Sequence, residues 1–471
     1  MKGFGIDFGT TNTCAVELDA STSHRFGDDA GNPLPSIVAL DRDTGAAECG
    51  RATWERRFEL ERDGRYHVIR SIKPFLGEDR HWATNARAWT VEDVAAHVLT
   101  TLSERVRQFG VAAGIQRATF SVPVNTTARQ KKALSNAARK AGIEVQGFVS
   151  ESTAALFRYF PQLKHMRQVA VFDWGGGTLD VSVLSLRAGA VQELAVSSLR
   201  SAGNAIDEEI ARELHRRIQV SRGGTEAFEA MSPHDRNTLI FEAERIKTRL
   251  KREQEVPMSA IYAGKQASLH VSQESLRGVV APFVSQALDL LEATVHQAGC
   301  AVDDIDEIIL VGGSSQLWAL RQALSEDPRF PQHRIADAPD WDVGHGAAML
   351  NARPGAYRLG ESVSLGLADG TALDLLASGA RVSHEPREIA LVLIQDSREA
   401  RLVFQRAIPG QPARTCGYLS VPTLGFLEEE VQLQYEVQPE LSLHLKAEGV
   451  RKGQAQSLEV ADLRFVYQLE A

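Results

Sequence analysis

Two stretches of the chain carry residues of the same types in the same order. Ile6-Asp7-Phe8-Gly9-Thr10-Thr11-Asn12-Thr13 and Phe172-Asp173-Trp174-Gly175-Gly176-Gly177-Thr178-Leu179 each run from an apolar strand into an aspartate, a bulky residue and glycine. Small or hydroxylic residues follow, with a β-rich run behind. An aspartate at the end of a buried strand is costly unless its charge is offset, and a hydrated divalent cation would offset it. The Gly and Thr residues let a tight strand-turn-strand bring N–H groups and hydroxyls up to a polyphosphate with no Cβ in the way. Two such hairpins facing each other would clamp a metal-bound triphosphate. Either hairpin alone reads equally well as an ordinary glycine-rich turn. The matched pair points to a duplicated fold half built around one phosphate site.

A third glycine turn has related chemistry. Glu307-Ile308-Ile309-Leu310-Val311 reads as a buried strand, Gly312-Gly313 as a turn, and Ser314 as the cap of a helix through Leu324, which would offer free N–H groups to a nucleotide. On its own it is also a routine strand-helix connection. Glu244, Lys247 and Lys251 fall at i, i+3 and i+7 on one helix face, beside an apolar face of Ala243, Ile246 and Leu250. A salt-bridged surface explains that face equally well. Taken singly, Lys73 reads as a solvated loop charge, and Glu151 ahead of Ser-Thr-Ala-Ala as a helix-dipole acid.

Positioning these residues requires strands that end at the aspartates and helices that back them. The first 350 or so residues alternate short β-rich runs with helical segments, the pattern of α/β layers. Strands are expected at Phe4–Phe8, Ala118–Val122, Gln168–Asp173, Asp180–Leu186 and Glu307–Val311. Val94, Val98, Leu102 and Val106 mark one stripe of a helix over Val91–Phe109. Ile206, Ile210, Leu214 and Ile218 mark another, with Asn204 as its expected cap. After Arg353-Pro354-Gly355 the helical period gives way to alternation: Val431, Leu433, Tyr435, Val437; then Leu441, Leu443, Leu445, Ala447; then Leu463, Phe465, Tyr467, Leu469. This predicts a β-sandwich of about 110 residues, with the boundary near Tyr357.

At 471 residues the chain is too long for one core, and a soft divisor of about 150 residues suggests roughly three folded units. Its composition, 43% hydrophobic and 24% charged, is that of a globular protein. The net charge of -9 disfavours a phosphate-backbone reader, so nucleic acid is not expected as a partner. Cys14, Cys49, Cys300 and Cys416 are scattered without metal-ligand spacing and read as reduced core thiols. No signal-peptide pattern opens the chain and no apolar run approaches the ~20 residues of a bilayer span, so no membrane role is expected and the cytoplasm is the expected compartment.

The ordered set Asp7-Phe8-Gly9-Thr10-Thr11-Asn12, Ser71-Ile72-Lys73-Pro74-Phe75-Leu76-Gly77, Ser121-Val122-Pro123, Glu151-Ser152-Thr153-Ala154-Ala155, 172–180 and Val311-Gly312-Gly313-Ser314 resembles the DnaK-type, seventy-kilodalton heat-shock chaperone family of the actin-like ATPase superfamily. The resemblance covers about residues 1–356. More faintly, 357–471 resembles the family's substrate-binding β-domain, entered at Ser364-Leu365-Gly366. It implies an α/β fold of duplicated actin-like (ribonuclease H-like) lobes, followed by an antiparallel β-sandwich. It implies ATP or ADP with Mg²⁺, and K⁺ as a companion ion. Asp7 and Asp173 would hold the hydrated Mg²⁺, with Asp180 nearby. Thr10, Thr11, Asn12 and Gly175, Gly176 and Gly177 would wrap the phosphates, Lys73 would approach the γ-phosphate, Glu151 and Asp173 would order the attacking water, and Thr178 would touch the γ-phosphate. Glu244 and Lys247 match ribose-binding residues, Gly203, Gly312, Gly313 and Ser314 line the cleft, and Asp340 lies towards the adenosine.

The chain also departs from that pattern. The two arginines that sandwich the adenine are replaced by Thr248 and Gln316, and a base-contacting serine by Lys251. The linker stretch Ala356-Tyr357-Arg358-Leu359-Gly360-Glu361-Ser362 holds one leucine where the family has several, and no helical lid follows the last strand pattern. The implied function is that of a divergent, lidless chaperone that binds ATP, hydrolyses it slowly and contacts a polypeptide through its β-domain, with a co-chaperone or exchange factor as a further partner. Two alternatives stand beside it: a nucleotide-dependent scaffold with negligible turnover, and a small-molecule kinase of the same superfamily.

Overall fold

In the strand Lys2–Phe8, Phe4, Ile6 and Phe8 alternate with Gly3, Gly5 and Asp7, as the period of two requires. The aromatic and aliphatic face is buried in the core. The glycine face admits the helix Asp342–Asn351 so closely that a Cβ on Gly5 would stand 2.1 Å from Gly344 O. This computed structural model describes residues 2–19, 22–163, 165–187, 189–262, 264–330, 334–337, 341–451 and 453–468.

The chain forms duplicated α/β lobes of the actin-like type followed by a strand-rich C-terminal region. In the first lobe, the 2–8 strand lies in a six-stranded sheet, parallel to Arg117–Val122 and antiparallel to Asn12–Asp19, with Asp7 opposite Ser121 and Cys14. In the second, Gln168–Trp174 lies in a seven-stranded sheet, parallel to Glu307–Val311 and antiparallel to Leu179–Arg187, with Asp173 opposite Val311 and Asp180. The internal echo is thus a repeated topology: each aspartate sits one residue from the end of a central strand that turns back in a hairpin.

The helix Val91–Gln108 opens with a reciprocal cap between Thr90 and Asp93, and buries Val94, Val98, Leu102 and Val106 as expected. The helix Gly203–Arg222 buries its expected stripe but starts differently. Ala202 is at its N-cap position with no side-chain cap, and Asn204 lies inside the first turn. The N–H groups of Gly203 and Asn204 donate instead to Gly175 O and Gly176 O at 3.1 and 2.8 Å, so the glycine loop does the work expected of the side chain. The helix Gln273–Gln297 is long and apolar enough to cross a membrane by composition, and packs Leu276, Val280, Leu288, Leu291 and Val295 into the second lobe's core. None of the four cysteines forms a disulfide, and Cys14 and Cys300 are buried.

Beyond the lobes, two four-stranded antiparallel sheets face each other. Val363, Leu365, Phe404 and Val421 from one meet Leu433, Leu443, Leu445 and Ala447 from the other. Leu441 sits in the turn before the strand Leu443–Gly449, with φ 63°, rather than in the strand. The last alternating segment departs from expectation more fully. Leu463 packs into the sandwich core, but Phe465–Gln468 leaves it and joins the second lobe's sheet between Ala190–Leu199 and Tyr357–Leu359; Leu469 lies outside the described residues. Alternation announces one buried face and leaves the identity of the neighbour open. Here Tyr467 finds that neighbour, its ring edge-on to Phe157 at 5.7 Å and to Tyr357 at 5.3 Å. Glu361, fully buried, anchors the crossover by accepting two bonds from Arg406 at 2.9 and 2.7 Å and one from Arg464 N at 2.8 Å.

Candidate functional site

The two hairpins face each other across a cleft of about 380 Å³. Asp7, Thr10, Thr11 and Asn12 line it from the first lobe; Asp173, Gly175, Gly176, Gly177, Thr178 and Asp180 line it from the second. Lys73 reaches it from a short 3₁₀ turn, Lys73–Phe75, and Glu151 from the first residue of the helix Glu151–Leu163. Gly312, Gly313, Ser314, Glu244, Lys247 and Lys251 complete the expected set that lines the cleft.

Electrostatics give this cleft its character. Ser121 Oγ donates to Asp7 Oδ1 at 2.8 Å, and Thr178 Oγ1 to Asp180 Oδ2 at 2.9 Å. Burial, then the charges of Glu151, Asp180 and Asp7, push the Asp173 carboxyl well above the usual carboxylate range, against the pull of Lys73. Lys73 Nζ lies 2.6 Å from Glu151 Oε1. Burial works against its charge, but Glu151, Asp7 and Asp173 outweigh it and hold the ammonium above its ordinary value. Four carboxylates facing one ammonium leave a deficit of positive charge. Among the described residues no three of His, Cys, Asp and Glu converge tightly enough to ligate a bare ion. That excess of acid fits a cation accompanied by a polyphosphate on the glycine loops.

Gly312 is a steric requirement. Its φ is 81°, and a Cβ there would stand 2.6 Å from Trp174 O and 2.7 Å from Asp173 Oδ1. Ser314 does not cap a helix. Residues Gly313–Gln316 form a 3₁₀ turn, the helix Trp318–Glu326 begins after Leu317, and Ser314 Oγ donates instead to Gly175 O at 2.8 Å. The third glycine turn is thereby tied to the second hairpin.

The far end of the cleft is more internally committed than spacing suggested. The helix Pro233–Arg249 ends before Lys251, so the three-residue face of Glu244, Lys247 and Lys251 is shorter than expected. Lys247 Nζ donates to Asp207 Oδ2 at 2.8 Å and to Gly203 O at 3.0 Å. Burial pushes the Asp207 carboxyl up to about 6 although Lys247 pulls it down. Glu244 Oε2 lies 3.4 Å from Arg57, whose guanidinium is buried over the rings of Trp54 at 3.9 Å, Phe58 at 4.5 Å and Phe241 at 4.9 Å. Arg57 begins a first-lobe helix, Arg57–Asp63, so this pair bridges the lobes. Sequence reasoning missed Arg57 and Asp207 as site residues, because their partners are remote in the chain. Gly203 lies behind the lining, and Gln316 lies outside it, bonded to Asp337 and Arg321 at 3.3 Å each. Asp340 lies outside the described residues.

The Hsp70 protein family matches residues 76–358, more than half of the chain. The chain is also 28% identical, over 367 residues, to the "Chaperone protein HscA homolog" of Bordetella petrii, covering 73% of this chain and 57% of that protein. It thus spans a little over half of that relative's length. Members of the family are ATPases that use ATP or ADP with Mg²⁺. With the matched region running across both actin-like lobes and through the cleft they enclose, the chain belongs to the Hsp70 protein family.

Proposed function

We propose that this protein is an ATP-dependent chaperone that binds Mg-ATP between its lobes, hydrolyses it slowly and contacts a polypeptide through its C-terminal β-domain. The division we infer is an ATPase domain over 1–356 and a β-domain over 357–471, of which the strands 357–359 and 465–468 join the second lobe's sheet. One observation carries the reading: acids from both halves of the chain, Asp7, Glu151, Asp173 and Asp180, converge with Lys73 on a cleft walled by glycine and threonine loops. In it, Asp7 and Asp173 hold the hydrated ion, with Asp180 close by and K⁺ as a companion. Bound Mg²⁺ neutralises phosphate charge. Thr10, Thr11, Asn12 and Gly175, Gly176 and Gly177 bind the phosphates, while Gly203, Gly312, Gly313 and Ser314 shape the loops around them. Glu151 and Asp173 orient the attacking water, Lys73 offsets charge that develops during transfer, and Thr178 steadies the terminal phosphate. Glu244, Lys247, Lys251, Gln316 and Asp340 belong to the nucleoside end.

The polypeptide reading is supported by an apolar end of the sandwich. Glu429, buried, accepts the N–H groups of Leu424 at 2.8 Å and Gly425 at 3.2 Å, holding a loop that leaves Leu424, Phe426 and Leu427 exposed. Leu393 N donates to Glu429 O at 3.0 Å and Val450 N to Glu430 O at 3.0 Å, which brings exposed Val392, Ile394 and Val450 to the same end. A contiguous exposed apolar end of this kind suits an extended apolar segment of another chain. A co-chaperone or exchange factor, and a cytoplasmic setting with reduced thiols, complete the proposal.

The test is to measure ATP hydrolysis and capture of an unfolded polypeptide by the chain and its Asp7→Asn variant. Loss of hydrolysis in the variant supports the reading; equal rates refute the catalytic assignment. A scaffold with negligible turnover is the second reading, favoured by the pairing of Glu244 with Arg57 and of Lys247 with Asp207. Tight ATP binding with no cleavage in a single turnover would select it.

A further inference from the structure

We propose that Glu193, which lies outside the cleft, is a positioning residue that fixes Glu151 by holding the head of the helix on which it stands. This rests on the ATP-cleavage reading of the site and deepens it by adding a residue that acts on the cleft from behind.

Glu151 is the first residue of the helix Glu151–Leu163, directly after Ser150 ends the strand Glu144–Ser150 of the first lobe's sheet. A side chain in that place is aimed by a turn whose N–H groups have no partner within the helix, and such a turn frays unless something outside holds it. Here Ser150 Oγ accepts the N–H of Thr153 at 3.1 Å. A hydroxyl turns its lone pairs that way only when its single proton points elsewhere. Glu193 Oε1, on the second lobe's strand Ala190–Leu199, accepts that proton from Ser150 Oγ, and it also accepts a bond from Thr153 Oγ1 at 2.8 Å. One carboxylate oxygen of the second lobe thus grips the helix on both sides of Glu151.

Ser152 is tied as well: its hydroxyl and that of Ser182, on the second lobe's strand Leu179–Arg187, share a buried hydrogen bond of 2.8 Å. With the turn held in this way, Glu151 Oε1 meets Lys73 Nζ at 2.6 Å. Glu193 itself does not line the cleft. It faces a separate cavity of about 380 Å³, shared with Ser150, Lys131 and Asp462. Burial pushes its carboxyl up, although both hydroxyls and Lys131 pull it down. The acid therefore stands where water would suit it better, and both of its bonds end within two residues of Glu151.

The experiment is a double-mutant cycle on the full chain, read as single-turnover cleavage of saturating Mg-ATP, with affinity for Mg-ATP measured by calorimetry beside it. Glu193→Ala is expected to slow cleavage about tenfold, the scale of a slightly misplaced group, while affinity stays within about twofold of the parent. Glu193→Gln keeps an oxygen that can accept both hydroxyls and should retain about half or more of the parent's rate. In a Glu151→Ala background, Glu193→Ala should slow cleavage by less than about twofold, because the residue it positions is gone. Equal slowing in both backgrounds, an unchanged rate in Glu193→Ala, or affinity falling in step with cleavage overturns the proposal and leaves the site reading intact. A parent that cleaves no ATP refutes the cleavage reading itself, and the proposal with it. Should Glu193→Ala not fold, Thr153→Val deletes one of the two donors at nearly constant volume and runs the same cycle, with the same outcomes deciding.

Discussion

Lys73 Nζ and Glu151 Oε1 stand 2.6 Å apart, joining a 3₁₀ turn to the head of a helix at the point where both face Asp7 and Asp173. Lys73→Ala removes the ammonium that answers these carboxylates. It should lower single-turnover ATP cleavage about 100-fold, the usual scale for losing one preorganised charge partner. A change of less than about threefold would remove Lys73 from the machinery.

Arg57 bridges the lobes with its charge and its stacking at once. Arg57→Ala gives up the Glu244 pair and three ring contacts, so it should destabilise the protein by about 2 kcal/mol in urea unfolding. Release of a fluorescent ADP analogue should quicken about tenfold, since the lobes lose a tie above the cleft. Unaltered release in stopped flow would show that the bridge does not govern opening.

Gly312→Ala tests the glycine turn beside Asp173. The added methyl meets Trp174 O in a backbone conformation that disfavours any Cβ, and should cost about 3 kcal/mol. The rise in melting temperature on adding Mg-ATP should shrink in parallel. A variant that melts and responds like the parent would contradict the close approach.

Tyr467→Ala removes the ring packed on Phe157 and Tyr357 and should loosen the 465–468 strand from the second lobe. The truncation should cost about 3 kcal/mol if the strand is held by that ring. Protease cleavage within 357–362 should accelerate at the same time, and unchanged cleavage would place the attachment in the backbone pairing alone.

His345 provides a pH test. Burial, with the positive charges of Arg158 and Arg25, holds its imidazole down to about 4, and Ser23 Oγ lies 3.2 Å from Nδ1. In the unfolded chain the group titrates near 6.5, so the folded state binds fewer protons between about pH 6.5 and pH 4. The stability this group contributes is fully present above that window and is lost as pH falls through it. Thermal melts should show a steeper loss between pH 7 and pH 4.5 in the parent than in His345→Gln. Equal slopes would refute the assignment.

Much of this was legible because the informative patterns are local. An aspartate one step before a glycine turn, or an apolar residue at every second position, constrains its own neighbourhood, so both hairpins and the sheets around them could be read directly. What escaped depends on distant partners. No spacing announces that Arg57 will meet Glu244, or that Lys247 will bury itself against Asp207. Ser314 looked like a cap because it follows a strand and a glycine pair, but the backbone tightened into a 3₁₀ turn and its hydroxyl went to Gly175 O. The 465–468 strand kept its expected alternation and changed its sheet, since alternation is blind to which edge is available.

That strand also bears on how the molecule matures. At the start of the 190–199 strand, Ala190 and Val191 pair with Gln468 and Tyr467, which leave the ribosome only after the rest of that lobe and the whole sandwich. A nascent chain therefore carries that end of the edge unpaired until its final strand is made, a template for mispairing with other extended segments.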